Sequence, residues 1–193
     1  MKNLSLTFVL LFLFGAAIAQ EKSAGAKPAV KPALLVIDVQ NEFLKYMSEE
    51  QGTTLEMVNW ALWIARKYNI PVIRVYHTSP GMGPEPGTEA FEFEKSIQIK
   101  EEDPKIIKNY PSSFTKTALD DTLKKLGCNT LFLCGLSATG CVLATYFGAM
   151  DYDYQVFMLK SAIMSNDHKL TDAVETMTDA ISLETFAFMA EHF

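Results

Sequence analysis

Three polar residues stand where apolar strands give out: Asp38 late in "ALLVIDVQ", Lys108 at the end of "PKIIK", and Cys141 after the turn "GLSATG". Cys141 opens the helical stretch "CVLATYFGAMD", and a helix start offers unpaired N–H groups and a positive dipole end that favour thiolate over thiol. Gly135, Ser137, Ala138 and Gly140 before it let the backbone turn tightly and let a substrate come close. The chemistry this suggests is that of a reactive sulfur. Each residue also has a structural reading. A carboxylate at a strand end can cap a helix, and a lysine after a strand is commonly solvated. A free cysteine packs as a small hydrophobe, the role expected for Cys128 and Cys134.

The elements that must bring these residues together alternate. "ALLVIDVQ" is a continuous apolar run, as in a strand covered on both faces. Thr53 or Thr54 can cap a helix to about Asn69, with Leu55, Val58, Leu62 and Ala65 at helical spacing. The strands "PVIRVYH", "PKIIKNY", "NTLFLCG" and "YQVFMLK" follow, with helices over "TKTALDDTLKKLG", closed by Gly127, then over "CVLATYFGAMD" and "DHKLTDAVETMTDA". The loop "TSPGMGPEPGTEAFEF" is too polar and broken for core, and the tail "ISLETFAFMAEHF" takes no assignment from its pattern. Strands alternating with helices predict an α/β fold, a three-layer αβα sandwich around a mostly parallel sheet. Ligands in such sheets sit beyond the carboxyl ends of the strands, where Asp38, Lys108 and Cys141 fall.

The chain of 193 residues accommodates one substantial domain, and its formal charge of -6 gives no reason to expect nucleic acid or an anionic membrane as partner. Residues 1–19 have Lys2, an apolar run from Leu4 to Phe14 and the ending Ala17-Ile18-Ala19, the three regions of a secretory signal peptide. Export to the periplasm or the extracellular space is therefore expected, with no membrane attachment after cleavage. Residues 20–32 read as a flexible leader and 33–193 as the folded domain. Cys128 and Cys134 flank one strand, which holds them beyond the roughly 7 Å reach of a disulfide.

The order "LLVIDVQNEF", "IIKNYPSSF", "GLSATGCVLAT" resembles the isochorismatase-like cysteine hydrolase superfamily, which includes nicotinamidases and N-carbamoylsarcosine amidase. The resemblance covers the chain from about Ala33 to the "DHKL" region and implies a Rossmann-like, isochorismatase-like fold. It implies a catalytic triad of Asp38, Lys108 and Cys141, and a cis peptide at Leu136–Ser137 that aims the Ser137 and Cys141 N–H groups as an oxyanion hole. Lys108 is then expected to lower the thiol pKa below its usual value of about 8.5. Phe43 and His77 become substrate-binding candidates; for Phe43, ordinary core packing is the other reading.

Two departures stand out. The family's Thr and acidic residue before the cysteine are Ala138 and Thr139 here. The metal cluster that nicotinamidases carry after the second strand is reduced to His77, so no metal or other cofactor is expected. The function implied is a secreted hydrolase, a homo-oligomer, cleaving a C–N amide-type bond of a small molecule through a thioester. The alternatives are vinyl-ether hydrolysis of the isochorismatase type, which needs no cysteine, a non-catalytic binding module on the same fold, and a thiol redox protein, for which Cys134 is poorly placed to resolve a disulfide with Cys141.

Overall fold

A computed structural model describes residues 29–47 and 51–193. The signal peptide expected over 1–19 and most of the leader expected over 20–32 lie outside the described residues.

Six strands form one sheet in the order β3-β2-β1-β4-β5-β6: β1 Pro32–Ile37, β2 Val72–His77, β3 Lys105–Lys108, β4 Thr130–Leu136, β5 Gln155–Met164 and β6 Ala180–Ile181. Every neighbouring pair is parallel. The two central strands are the most apolar, "PALLVI" and "TLFLCGL", because both of their faces are covered. On one face pack α1 (Asn41–Leu44), α2 (Gln51–Lys67) and α6 (Leu183–Glu191); on the other pack α3 (Leu119–Leu126), α4 (Leu143–Asp151) and α5 (His168–Met177). The three-layer architecture is the one the sequence pattern predicts.

Local chemistry sets the ends of the helices. α2 buries Val58, Ala61, Leu62, Ile64 and Ala65, a stripe at helical spacing. Gly127 closes α3 in the left-handed region at φ 71°, where a Cβ would be strained. Asp167 caps α5 by accepting the Lys169 N–H. Ser182 does the same for α6 with the Thr185 N–H, so the unassigned tail is a short strand followed by a capped helix.

The loop after β2 departs from expectation. Phe91, Phe93 and Ile97 are core residues, and Tyr76 lies against the two phenylalanine rings at 5.0 and 4.4 Å. A bridge between Gln40 and Phe93 and the bond from the Glu94 N–H to the Val39 carbonyl lay the segment along the end of β1. Polar composition hid three apolar anchors.

Candidate active site

The sheet runs outward in two directions from its centre, β1-β2-β3 one way and β4-β5-β6 the other. The switch point lies between β1 and β4, where parallel sheets leave a crevice beyond the strand ends. Asp38 is the first residue after β1, and Cys141 lies one turn beyond β4.

Lys108 ends β3, two strands from β1, with His77 of β2 as its register partner. Its side chain reaches past His77, donating from Nζ to His77 Nδ1 at 3.0 Å, and ends at Asp38 Oδ2 at 2.7 Å. The Lys108 and Asp38 side chains are 0% and 3% exposed, so this ion pair is cut off from solvent. A ligand atom from each of Asp38, His77 and Cys141 falls within 4.8 Å of the other two. The three residues named from the sequence thus come together, and His77 joins them.

Asp38 holds a left-handed backbone, φ 52°, which a non-glycine residue adopts only where its surroundings enforce it. One carboxylate oxygen is tied to Lys108, while the other, Oδ1, is buried without a hydrogen-bond partner. A buried acceptor left open beside a thiol is positioned to take a proton. Burial raises the Asp38 pKa above the usual 3.8, against the opposing pull of Lys108. Both effects suit a base.

The turn before Cys141 differs from expectation in two respects. The Leu136–Ser137 peptide is trans; among the described residues the cis bond is Gly83–Pro84. Gly135, at φ 112°, lies within β4 at an irregularity in the β4–β5 pairing, one residue before that trans bond. Cys141 also precedes α4, inside a π-type turn over Ala138–Val142 that is broken at Gly140. In that turn the Ser137 carbonyl accepts the Gly140 and Val142 N–H groups at 2.9 and 3.1 Å; the Cys141 N–H between them is not one of its donors.

Nor does Lys108 prevail over burial. Desolvation, followed by the Asp38 charge, pushes the Cys141 thiol up to about 12, and Lys108 offsets only part of this. The resting sulfur is a thiol beside a carboxylate, and the ammonium balances that carboxylate.

Sequence reading missed the residues that hold this arrangement in place. Gln40 is fully buried; its Oε1 accepts the His77 N–H at 2.7 Å, and its Nε2 donates to the carbonyls of His77 at 3.1 Å and Phe91 at 2.8 Å. One amide therefore joins the end of β1 to the end of β2 and to the covering loop. Thr145 of α4 is also buried, and its hydroxyl accepts the Ser113 N–H at 3.0 Å, tying the helix after Cys141 to the segment after Lys108. The only signal for Gln40 was a polar residue closing an apolar run. For Ser113 and Thr145 the sequence held none.

His77, a substrate-binding candidate from the sequence, lies in the site and is also bonded to Lys108. Its Nδ1 accepts from Lys108, its Nε2 lies 3.1 Å from Ser79 Oγ, and its ring meets Phe43 edge-on at 5.7 Å. Accepting at Nδ1 places its proton on Nε2. Burial and the neighbouring ammonium lower its pKa below 6.5, which keeps the ring neutral. Phe43, partly exposed, lines the same corner. The metal of nicotinamidases does not fit these residues. Tyr76 and Thr78 flank His77, both ring nitrogens are engaged, and a cation bridging Asp38 and Cys141 would be set against the Lys108 ammonium.

The isochorismatase domain model matches residues 32–185. Nicotinamidase 3 of Arabidopsis thaliana is 30% identical over 156 residues, covering 73% of this chain and 77% of that protein. A secreted isochorismatase effector of Verticillium dahliae is 26% identical over 153 residues, covering 77% and 80%. Among solved structures, N-carbamoylsarcosine amidase from Thermoplasma acidophilum superposes with a TM-score of 0.70 at 25% identity, covering 79% of this chain and 95% of that one.

Proposed function

Because this chain belongs to the isochorismatase family, we propose that it is a cysteine hydrolase that cleaves a C–N amide-type bond of a small molecule. The observation that carries this reading is the open, buried Asp38 Oδ1 beside Cys141, with Lys108 holding the other oxygen. Similarity to nicotinamidase 3 and to N-carbamoylsarcosine amidase supports the amide-type bond.

As Sγ attacks the carbonyl carbon, its proton passes to Asp38, and the C–S bond forms while the carbonyl π pair moves to oxygen. The Cys141 N–H, which the Ser137 carbonyl does not take, is a donor for that oxyanion. Its collapse breaks the C–N bond, and Asp38 returns the proton to the departing nitrogen. Asp38 next takes a proton from water, whose oxygen attacks the thioester; the acid leaves and the proton returns to sulfur. Lys108 remains an ammonium throughout and stabilises the carboxylate between transfers. Phe43 and the Phe43-facing side of His77 form a wall for the substrate. The signal-peptide pattern over 1–19, with a secreted relative, supports action outside the cytoplasm.

The test is ammonia release from a panel of small amides, ureas and carbamoyl compounds. Cys141→Ala is expected to lose at least about 10³-fold in kcat for any substrate found, with the thermal midpoint little changed. Turnover that survives in a folded Cys141→Ala protein would exclude the thioester route.

A further inference from the structure

The outer face of α2 carries a feature that the hydrolase reading does not use. Glu56, Trp60, Trp63 and Lys67 are all exposed and spaced by four, three and four residues, so they form one stripe along the helix. Trp60 is 49% exposed and Trp63 54%, although indoles are among the residues most strongly driven out of water. Beside them, an apolar cleft of about 240 Å³ between α2 and α6 is lined by Trp60, Trp63, Ile64, Leu183, Glu184 and Ala187. α6 continues the surface with Phe188, 65% exposed.

The order along the stripe is acid, Trp, Trp, base. Glu56 and Lys67 lie equally far on either side of a point between Ala61 and Leu62, and so do Trp60 and Trp63. A two-fold axis lying in the contact plane beside the helix, perpendicular to it and level with that point, therefore sets Trp60 against the partner's Trp63 and Glu56 against the partner's Lys67. A stripe complementary to itself when reversed is what an isologous contact requires. We propose that α2 and α6 form the dimer interface of this protein: two copies pack α2 antiparallel, and each cleft receives an indole of the other copy.

Charge complementarity selects this occupant. A one-signed partner or an anionic membrane would meet Glu56 and Lys67 with opposite effects, whereas a second copy satisfies both. In the single chain Lys67 rests over the Trp63 and Tyr68 rings, at 5.3 and 4.8 Å, and can turn to the partner's Glu56 without leaving the aromatic surface. The 17 residues of α2 make a strip about 26 Å long and 10–12 Å wide, smaller than the roughly 800 Å² per partner of a standard interface. Even with α6 added, the dimer belongs at the weak end of the scale, with a dissociation constant of roughly micromolar order. No residue of the Asp38, Lys108 and Cys141 site lies on this face, so the dimer stands or falls independently of the catalytic reading.

Sedimentation velocity at loadings of roughly 1–100 µM tests it. Wild type is expected to pass from monomer to dimer across that range, and Trp60→Ala/Trp63→Ala to remain monomeric with an unchanged circular dichroism spectrum. Glu56→Lys should raise the dissociation constant about tenfold or more, because two lysines then face each other at both ends of the contact. Glu56→Lys/Lys67→Glu should return it to within about threefold of wild type, since the reversed charges pair again. A wild type that stays monomeric, whether or not it binds anionic phospholipid vesicles, overturns the proposal. So does a dimer that survives loss of both indoles, or a double reversal that restores nothing.

Discussion

Lys108 illustrates how far a residue's meaning depends on where its side chain ends. Read from sequence, a lysine after a short strand is most often a solvated charge; in the fold its ammonium is buried between His77 Nδ1 and Asp38 Oδ2. Two acceptors hold it, so we expect loss of His77 to reach the thiol through Lys108. His77→Phe keeps an aromatic ring but removes the acceptor, and is expected to slow Cys141 alkylation at a given pH in the same direction as loss of Lys108, by a smaller factor. His77→Asn, whose side-chain oxygen can take the place of Nδ1, should retain most of the wild-type rate. If Phe and wild type label alike, His77 is only a wall. The pH response follows from the same groups. Asp38 must be ionised to accept the thiol proton, and its pKa is raised from 3.8, so activity should be lost as pH falls through a value above 3.8.

At the scale of elements, the site depends on β1 and β4 ending side by side, and Gly135 sets how closely they do so. It stands opposite Ile37 in the register, with φ 112°, and a Cβ there would overlap the Ile37 carbonyl oxygen. Gly135→Ala is therefore expected to cost about 3 kcal/mol or more by denaturant unfolding, and to reduce turnover in whatever fraction folds. A cost below about 0.5 kcal/mol, the range of neutral surface changes, would mean that the strand ends tolerate separation and are not fixed by this contact. The strands were legible because their covered faces leave continuous apolar runs, and Asp38, Lys108 and Cys141 were legible because each interrupts or follows such a run. What was not legible arises from contacts across long separations. The Gln40 clamp joins residues 37 and 51 positions apart, and Ser113 meets Thr145 across 32. A local pattern carries no trace of either. The same limit explains why the thiol was expected to be acidic: the composition of the turn suggested a helix start, whereas burial, which sequence does not show, sets its pKa.

At the scale of the whole molecule, the sheet gathers one residue from each of three strand ends into a single charge unit, with Asp38 and Lys108 drawn from positions 70 residues apart. If that unit governs the sulfur, substitutions on two different strands must move its reactivity in opposite directions. The measurement is the pH dependence of iodoacetamide labelling at Cys141, followed by peptide mass spectrometry, in wild type, Lys108→Met and Asp38→Asn. Wild type should label slowly at neutral pH and faster as pH climbs towards the thiol's value of about 12. Lys108→Met removes a charge that favours thiolate, so its profile should shift to higher pH; Asp38→Asn removes one that opposes thiolate, so its profile should shift to lower pH. Opposite shifts in proteins with native circular dichroism are the result predicted. Three superimposable profiles would contradict it, leaving Cys141 a half-buried thiol with two charged neighbours that do not control it.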